Sequence, residues 1–201
     1  MYLQLKRLAD IIISITVILL LLPVFILISF SVLISSGRPI FYLQKRVGKG
    51  WNEFKIIKFR TMVNNAENIG PGVSLSNDKR VTAIGKILRK FKIDELPQFI
   101  NVLKGEMSII GPRPELLRYV DQYKNEYSNI LKVKPGLSDY ASVKFRNEAS
   151  LLQSSTDSEA FYLKNILPEK IKLYNKYIAE MNFFVDIKIL FLTFKAILLW
   201  G

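Results

Sequence analysis

The chain contains no cysteine and no histidine. Without cysteine there is no disulfide and no thiolate metal site, which fits a reducing, cytoplasmic side of a membrane. Without histidine the commonest general base is missing. Any catalysis must therefore rest on carboxylates, lysine, tyrosine, hydroxyls or a metal ion, and the carboxylates gain weight. Acidic residues are also scarce: 17 Asp and Glu stand against 29 Lys and Arg, a net charge of +12. That surplus suits nucleic acid, an acidic membrane face or phosphorylated substrates, and its sign alone does not choose among them. Internal repeats and low-complexity tracts are absent.

Charge is missing altogether from Ile11 to Gly37. This run exceeds the roughly 20 helical residues that a bilayer core requires, so it reads as membrane-embedded. It is too long for the apolar region of a cleaved signal peptide, and no small-residue cleavage site follows. Both flanks are basic, with Lys6 and Arg7 before it and Arg38, Lys45, Arg46 and Lys49 after it. The positive-inside rule thus claims both ends for the same side. Pro23 lies at the midpoint, where its missing N–H and its ring favour a kink. On these residues alone, a helix that dips in and returns and a single tilted span both stay open.

The 201 residues otherwise suffice for one compact domain. Pro39 to Phe59 reads as a hairpin, with β-prone runs at Ile40–Leu43 and Glu53–Ile57 and a turn at Gly48–Gly50. Asn64 to Ile69 reads as a short helix ended by Gly70-Pro71-Gly72. Thr82 reads as the N-cap of a helix with Ile84, Ile87, Leu88 and Phe91 on one face. A second helix is expected to begin at Asp94, carry Leu96, Phe99, Ile100 and Leu103, and stop at Gly105. Met107–Ile110 suggests a short strand, and Gly111-Pro112-Arg113-Pro114-Glu115 the opening of a further helix. Ser154 to Ser158 reads as a polar loop and Leu167 to Met181 as a helix. Phe183 to Trp200 is apolar but carries Asp186, Lys188 and Lys195, which suits a helix lying in a membrane interface; a core helix is the alternative.

Asp94-Glu95-Leu96-Pro97 is the most informative stretch. Its plain reading is a capped helix start. Its functional reading uses the same geometry: a carboxylate beside unpaired N–H groups and positive dipole is placed to attack phosphorus. Repulsion between a carboxylate and a diphosphate must be offset, and Arg89, Lys90 and Lys92 lie just upstream while Arg113 follows. Mg²⁺ would complete such a set. Lys58 and Arg60 are further phosphate-binding candidates, with a solvated strand edge as the alternative.

Lys58-Phe59-Arg60-Thr61-Met62, Ile93-Asp94-Glu95-Leu96-Pro97-Gln98, Asn101-Val102-Leu103-Lys104-Gly105-Glu106-Met107-Ser108 and Gly111-Pro112-Arg113-Pro114 together resemble the bacterial sugar transferase family, the monotopic phosphoglycosyl transferases. The resemblance runs over nearly the whole chain and places it with the short members. It implies a re-entrant N-terminal helix bent at Pro23, with both ends cytoplasmic. It implies Asp94 as nucleophile toward the β-phosphate of a UDP-sugar, with release of UMP. The phospho-sugar would then pass to a polyprenyl phosphate, undecaprenyl phosphate, in the first membrane step of surface glycoconjugate assembly. Glu95 would assist as base or metal neighbour, Arg89 and Arg113 would handle phosphate, and Mg²⁺ would be held near Asp94 and Glu95.

Two departures stand out. Leu22 occupies the place where the family often has serine before the proline. The stretch Pro135 to Asn147 keeps the family frame and Arg146, a candidate for substrate binding, but replaces a tryptophan, a glutamine and a glycine. The combined expectation is a mainly helical α+β protein. Residues 1–37 form the re-entrant membrane helix. Residues 38–201 form a small cytoplasmic catalytic domain with a short β-hairpin and interfacial amphipathic helices, the last at about 183–200. Its partners would be a UDP-sugar, a polyprenyl phosphate, membrane lipids and downstream glycosyltransferases, with no nucleic acid, at the cytoplasmic face of a bacterial inner membrane. The competing reading is a non-enzymatic, membrane-anchored basic module binding anionic lipid or nucleic acid.

Overall fold

The computed structural model describes residues 1–66, 78–153, 155 and 157–199. It is mainly helical with two small sheets. Helix α1 (Tyr2–Leu20) and helix α2 (Leu22–Ser36) form a pair bent by 63°. Among the described residues no single helix is long and apolar enough to cross a membrane, but this pair passes that test together. The break falls at Leu21, and Pro23 sits in the first turn of α2, where a missing N–H leaves no gap in the helical ladder. In α1, the buried hydroxyl of Ser14 has no hydrogen-bond partner among the described residues.

Both arms of the bend are held by the rest of the chain. From α1, Arg7 donates to the carbonyls of Val102 and Leu103 (2.6 and 2.9 Å). Asp10 is buried and accepts from the Ile109 N–H at 3.0 Å. From α2, Ile28 and Val32 join Phe59 and Leu88 in a small core. The elbow between these anchors shows its apolar side chains to the outside, Leu19, Leu20, Leu22, Ile26 and Leu27 among them.

Strands β1 (Phe41–Val47) and β2 (Glu53–Phe59) pair antiparallel, Phe41 opposite Phe59 and Val47 opposite Glu53. The expected hairpin is present and longer than its β-prone runs. Helix α3 (Ala83–Lys90) begins as the sequence indicates, with Thr82 Oγ1 accepting from the Gly85 N–H at 3.0 Å. Only the Ile84 and Leu88 part of its apolar face is covered; Ile87 and Phe91 are exposed. Gly85 lies against the chain leaving β2: a Cβ there would stand 2.1 Å from the Thr61 carbonyl oxygen.

The second expected helix is corrected. Ile93–Glu95 forms one tight 3-10 turn, entered through Lys92 in the left-handed region at φ 57°. Helix α4 (Gln98–Lys104) starts only after Pro97 and ends at Gly105, φ 84°. Its deepest side chains are Gln98, Asn101 and Val102 rather than the expected leucine stripe. The reason is polar: Asn101 accepts from the Ile57 N–H (3.0 Å) and donates to the Lys55 carbonyl (2.8 Å), docking α4 onto the open edge of β2.

Strand β3 (Ser108–Ile110) is present and pairs parallel with β4 (Gly136–Ser138), which local composition does not reveal. Between them, Gly111 to Leu116 is not the start of a helix; short α5 (Leu117–Val120) and α6 (Lys124–Ile130) follow it. Two prolines and a glycine hold that run open. After β4 come α7 (Tyr140–Lys144), α8 (Glu148–Gln153), α9 (Ser158–Phe161), α10 (Leu167–Glu180) and α11 (Phe183–Leu199). The short helix expected over 64–69 and its Gly-Pro-Gly stop lie mostly outside the described residues, as does part of the loop at 154–158.

Helix α11 buries Ile189 beneath β3 and β4, yet its opposite side presents Phe184, Ile187, Phe191 and Phe194 beside exposed Lys188 and Lys195. A purely internal helix would not leave such a stripe uncovered. Asp186, at its start, accepts from Tyr2 Oη (2.8 Å), Lys6 Nζ (2.6 Å) and Tyr177 Oη (2.8 Å), joining α1, α10 and α11.

Candidate active site

The tight turn at 93–95 sets two adjacent carboxylates into different surroundings. Asp94 is buried, and its Oδ1 has no hydrogen-bond partner among the described residues. It therefore does not cap a helix, which removes the plain reading of this stretch. Burial, reinforced by the neighbouring charge of Glu95, raises its pKa; Lys58, Lys92 and Arg89 pull the other way. A buried polar oxygen without a partner is costly unless something binds it.

Glu95 is fully engaged. Lys58 Nζ donates to its Oε1 at 2.8 Å, Arg113 Nη1 donates to its Oε2 at 3.1 Å, and Arg113 Nη2 also bonds Oε1. Burial pushes the Glu95 pKa up, but the charges of Arg113 and Lys58 outweigh it and hold the carboxyl well below its usual range. The Glu95 charge in turn raises the Arg113 pKa. Burial lowers that of Lys58, with Glu95 opposing. Lys58 therefore does not lie on a solvated strand edge.

Arg89 projects from the last turn of α3, its Nε donating to Thr61 Oγ1 at 2.8 Å. Burial lowers its pKa and the charge of Asp94 raises it, which places the two in one electrostatic neighbourhood. Thr61 is a positioning residue that sequence reasoning passed over; its sign is the hydroxyl directly after Arg60 in the strand exit. Arg60 has a different task. It is buried, and its guanidinium donates to the carbonyls of Ser36 and Gly37 (2.5 and 2.6 Å), to Ser36 Oγ (3.0 Å) and to Asn64. It ties the end of α2 to the hairpin.

All of these side chains line one cavity of about 2100 Å³, as does Arg146 from the turn after α7. The same wall holds a buried ionic group that sequence spacing did not suggest. Lys170 sits 2.5 Å from Glu148 and 3.7 Å from Glu115, with Arg46 at 3.3 Å from Glu115 and Tyr162 Oη donating to Glu115 at 2.8 Å. Only the heptad-like burial of Lys170 among Leu167, Ile171 and Tyr174 hints at it.

Among the described residues no three Asp, Glu, His or Cys side chains gather into a metal group. Mg²⁺ nevertheless needs few protein ligands, one or two carboxylates with substrate phosphate oxygens and water. The open Oδ1 of Asp94 fits that requirement. Glu95 does not, because both of its oxygens are bonded to cations.

An open carboxylate with Lys58, Lys92 and Arg89 in its electrostatic neighbourhood is suited to nucleophilic attack on phosphorus. Residues 1–200 match the family model described as bacterial sugar transferase, and the chain belongs to this family. It is 37% identical over 204 residues to the UDP-N-acetylgalactosamine-undecaprenyl-phosphate N-acetylgalactosaminephosphotransferase of Aeromonas hydrophila, covering 98% of this chain and 44% of that relative. It is 36% identical over 193 residues to the UDP-glucose:undecaprenyl-phosphate glucose-1-phosphate transferase of Escherichia coli K12, covering 94% of this chain and 39% of that relative. The exopolysaccharide production protein ExoY of Sinorhizobium fredii is 31% identical over 209 residues, covering 96% and 85%. The chain thus spans less than half the length of the first two relatives.

Proposed function

We propose that this protein is a membrane-embedded phosphoglycosyl transferase that moves a phospho-sugar from a UDP-sugar to undecaprenyl phosphate through a covalent Asp94 adduct. The observation that carries this reading is the buried Asp94 oxygen left open beside a Glu95 whose charge is already matched. In the first half-reaction an Asp94 carboxylate oxygen attacks the β-phosphorus. The bond from that phosphorus to the bridging oxygen breaks, and UMP leaves with the electron pair. Arg89 lies where it offsets charge on the phosphates, and the Lys58–Glu95–Arg113 set fixes the turn that aims Asp94. In the second half-reaction a phosphate oxygen of the acceptor attacks the same phosphorus, and the carboxylate is restored. Mg²⁺, held by Asp94 and the substrate phosphates, would supply further neutralisation of the diphosphate.

The competing reading as a basic binding module gives no account of a buried carboxylate without a partner. The membrane reading rests on the elbow at Leu21. Both of its arms return to one domain, and the bend itself is apolar and outward-facing, so a re-entrant helix with a cytoplasmic catalytic domain over 38–201 fits better than a span. The exposed stripe of α11 would lie in the same interface. The test is product analysis: membrane-reconstituted protein with UDP-sugars, Mg²⁺ and undecaprenyl phosphate should release UMP, with ping-pong kinetics. Release of UDP, or of no nucleotide across a panel of UDP-sugars, would overturn the assignment.

A further inference from the structure

Building on the transferase reading, we infer that the isoprenoid chain of the acceptor enters through an apolar groove between the distal parts of α1 and α11, lined by Val17, Leu21, Leu190, Phe194 and Ile197. These side chains belong to the same cavity as Asp94. That cavity, about 2100 Å³, is more than twice the roughly 300–1,000 Å³ of an ordinary small-molecule site. Its walls differ in chemistry according to the element that supplies them. Segments around α5, α7 and α8 bring Arg118, Asp121, Arg146 and Glu148 among apolar Leu117, Val143 and Phe145, whereas α1 and α11 bring no charged group to the lining. The one hydroxyl on the α11 wall, Thr193, donates to the Ile189 carbonyl (2.8 Å) and shares a hydrogen bond with Ser138 Oγ (2.6 Å), so its polarity is met within the protein.

The geometry of the two helices permits an opening there. They are joined near their N-termini, where Tyr2 and Lys6 meet Asp186, and β3 packs against both. At about 1.5 Å per residue, Val17 and Leu21 lie about 17 and 22 Å beyond Lys6 along α1, and Leu190 to Ile197 about 6 to 17 Å beyond Asp186 along α11. The outward faces of both helices are apolar, with Ile15 and Leu19 on one and Phe184, Ile187 and Phe191 on the other. A lipid could thus pass from a bilayer to Asp94 without its chain crossing water.

The order of the reaction selects the occupant. UMP must leave before the acceptor phosphate takes its place among the cations, so the two substrates share the phosphate position in turn. An isoprenoid chain has no favourable place against the charged wall, and burying it along an apolar one is stabilising. The groove is the uncharged stretch of the cavity wall that α1 and α11 supply, in the same cavity as Asp94.

Leu21→Trp narrows the groove, and Phe194→Ala removes a side chain that is 58% exposed. Each is reconstituted and measured in two assays: the UMP burst with UDP-sugar and Mg²⁺ alone, and turnover against undecaprenyl phosphate. The inference predicts an unchanged burst and a KM for undecaprenyl phosphate raised about tenfold, which corresponds to 1.4 kcal/mol of acceptor binding. An unchanged KM in both variants, with the burst intact, would overturn the groove and leave the transferase reading standing. Weaker membrane association of Phe194→Ala at unchanged KM would assign the groove to a structural lipid and would also overturn it. Absence of any UMP burst from the unaltered protein would instead sink the transferase reading, and the groove with it.

Discussion

Asp94 and Glu95 are adjacent in the chain and opposed in setting: Glu95 bonds Lys58 and Arg113 through both oxygens, while Asp94 Oδ1 is buried without a partner. Burial and the Glu95 charge raise the Asp94 pKa, so this carboxylate ionises only above the usual aspartate range. The acid limb of kcat/KM for the donor half-reaction should therefore lie above the ordinary aspartate range. Glu95→Gln removes the raising charge and frees two cations, so the limb of its residual activity should move to lower pH. An acid limb that stays in place or moves up would contradict the coupling. The variant should also lose about 3 kcal/mol of stability, because two partly buried cations lose their counter-charge.

Asp94→Asn should be inactive yet more stable than the unaltered protein at neutral pH. A folded pKa raised above 3.8 means that ionisation of Asp94 disfavours the folded state. The penalty is absent below the unfolded value and complete above the raised folded value. The advantage of Asp94→Asn should therefore grow as pH rises through that window. For a chain of this size each kcal/mol recovered adds about 2–4 °C to Tm. Thermal unfolding in detergent at acidic and neutral pH measures this, and a lower Tm at neutral pH would contradict it.

Arg60 and Arg89 lie on opposite sides of the division between architecture and chemistry. Arg60→Ala strands the carbonyls of Ser36 and Gly37, so it should lower stability by about 3 kcal/mol, or on the order of 10 °C in Tm. Its remaining folded fraction should keep a normal KM for the donor. Arg89→Ala should leave Tm nearly unchanged and reduce donor kcat/KM by about two orders of magnitude. Thermal melts paired with UMP-release kinetics separate the two.

Gly85 lets α3 approach the strand exit. The Cβ of Gly85→Ala would meet the Thr61 carbonyl oxygen at 2.1 Å, which backbone movement alone can relieve. Because Arg89 is oriented by Thr61 on the same contact, the shift should cost about 1–3 kcal/mol and lower donor kcat/KM at least tenfold in the molecules that remain folded. A stable, fully active Gly85→Ala would show that the Thr61–Arg89 geometry does not matter to turnover.

Local rules located much of this arrangement. The uncharged run with Pro23 inside it gives the bent helix pair, alternating β-prone residues give the hairpin, and Thr82 and Gly105 bound their helices as their chemistry requires. The acid pair was legible as a candidate site but not in the different settings of its two carboxylates. Capping preference placed Asp94 at a helix start, whereas the left-handed Lys92 and Pro97 confine it to a tight turn where it caps nothing. Arg60 and Arg113 look alike in sequence; which partner lies opposite each is set by tertiary contacts to Ser36, Gly37 and Glu95. The β4 strand, the docking of Asn101 on β2 and the Lys170 group all join residues far apart in the chain, which periodicity does not register.

The central claim is that a carboxylate oxygen of Asp94 becomes bonded to phosphorus. Protein incubated with a UDP-sugar and Mg²⁺ in the absence of acceptor, quenched, digested and examined by peptide mass spectrometry, tests it most directly. The account predicts a phospho-sugar mass on the peptide that contains Asp94, lost on addition of undecaprenyl phosphate and absent from Asp94→Asn. Turnover with that adduct on another residue, or with no covalent adduct at any time, would contradict it.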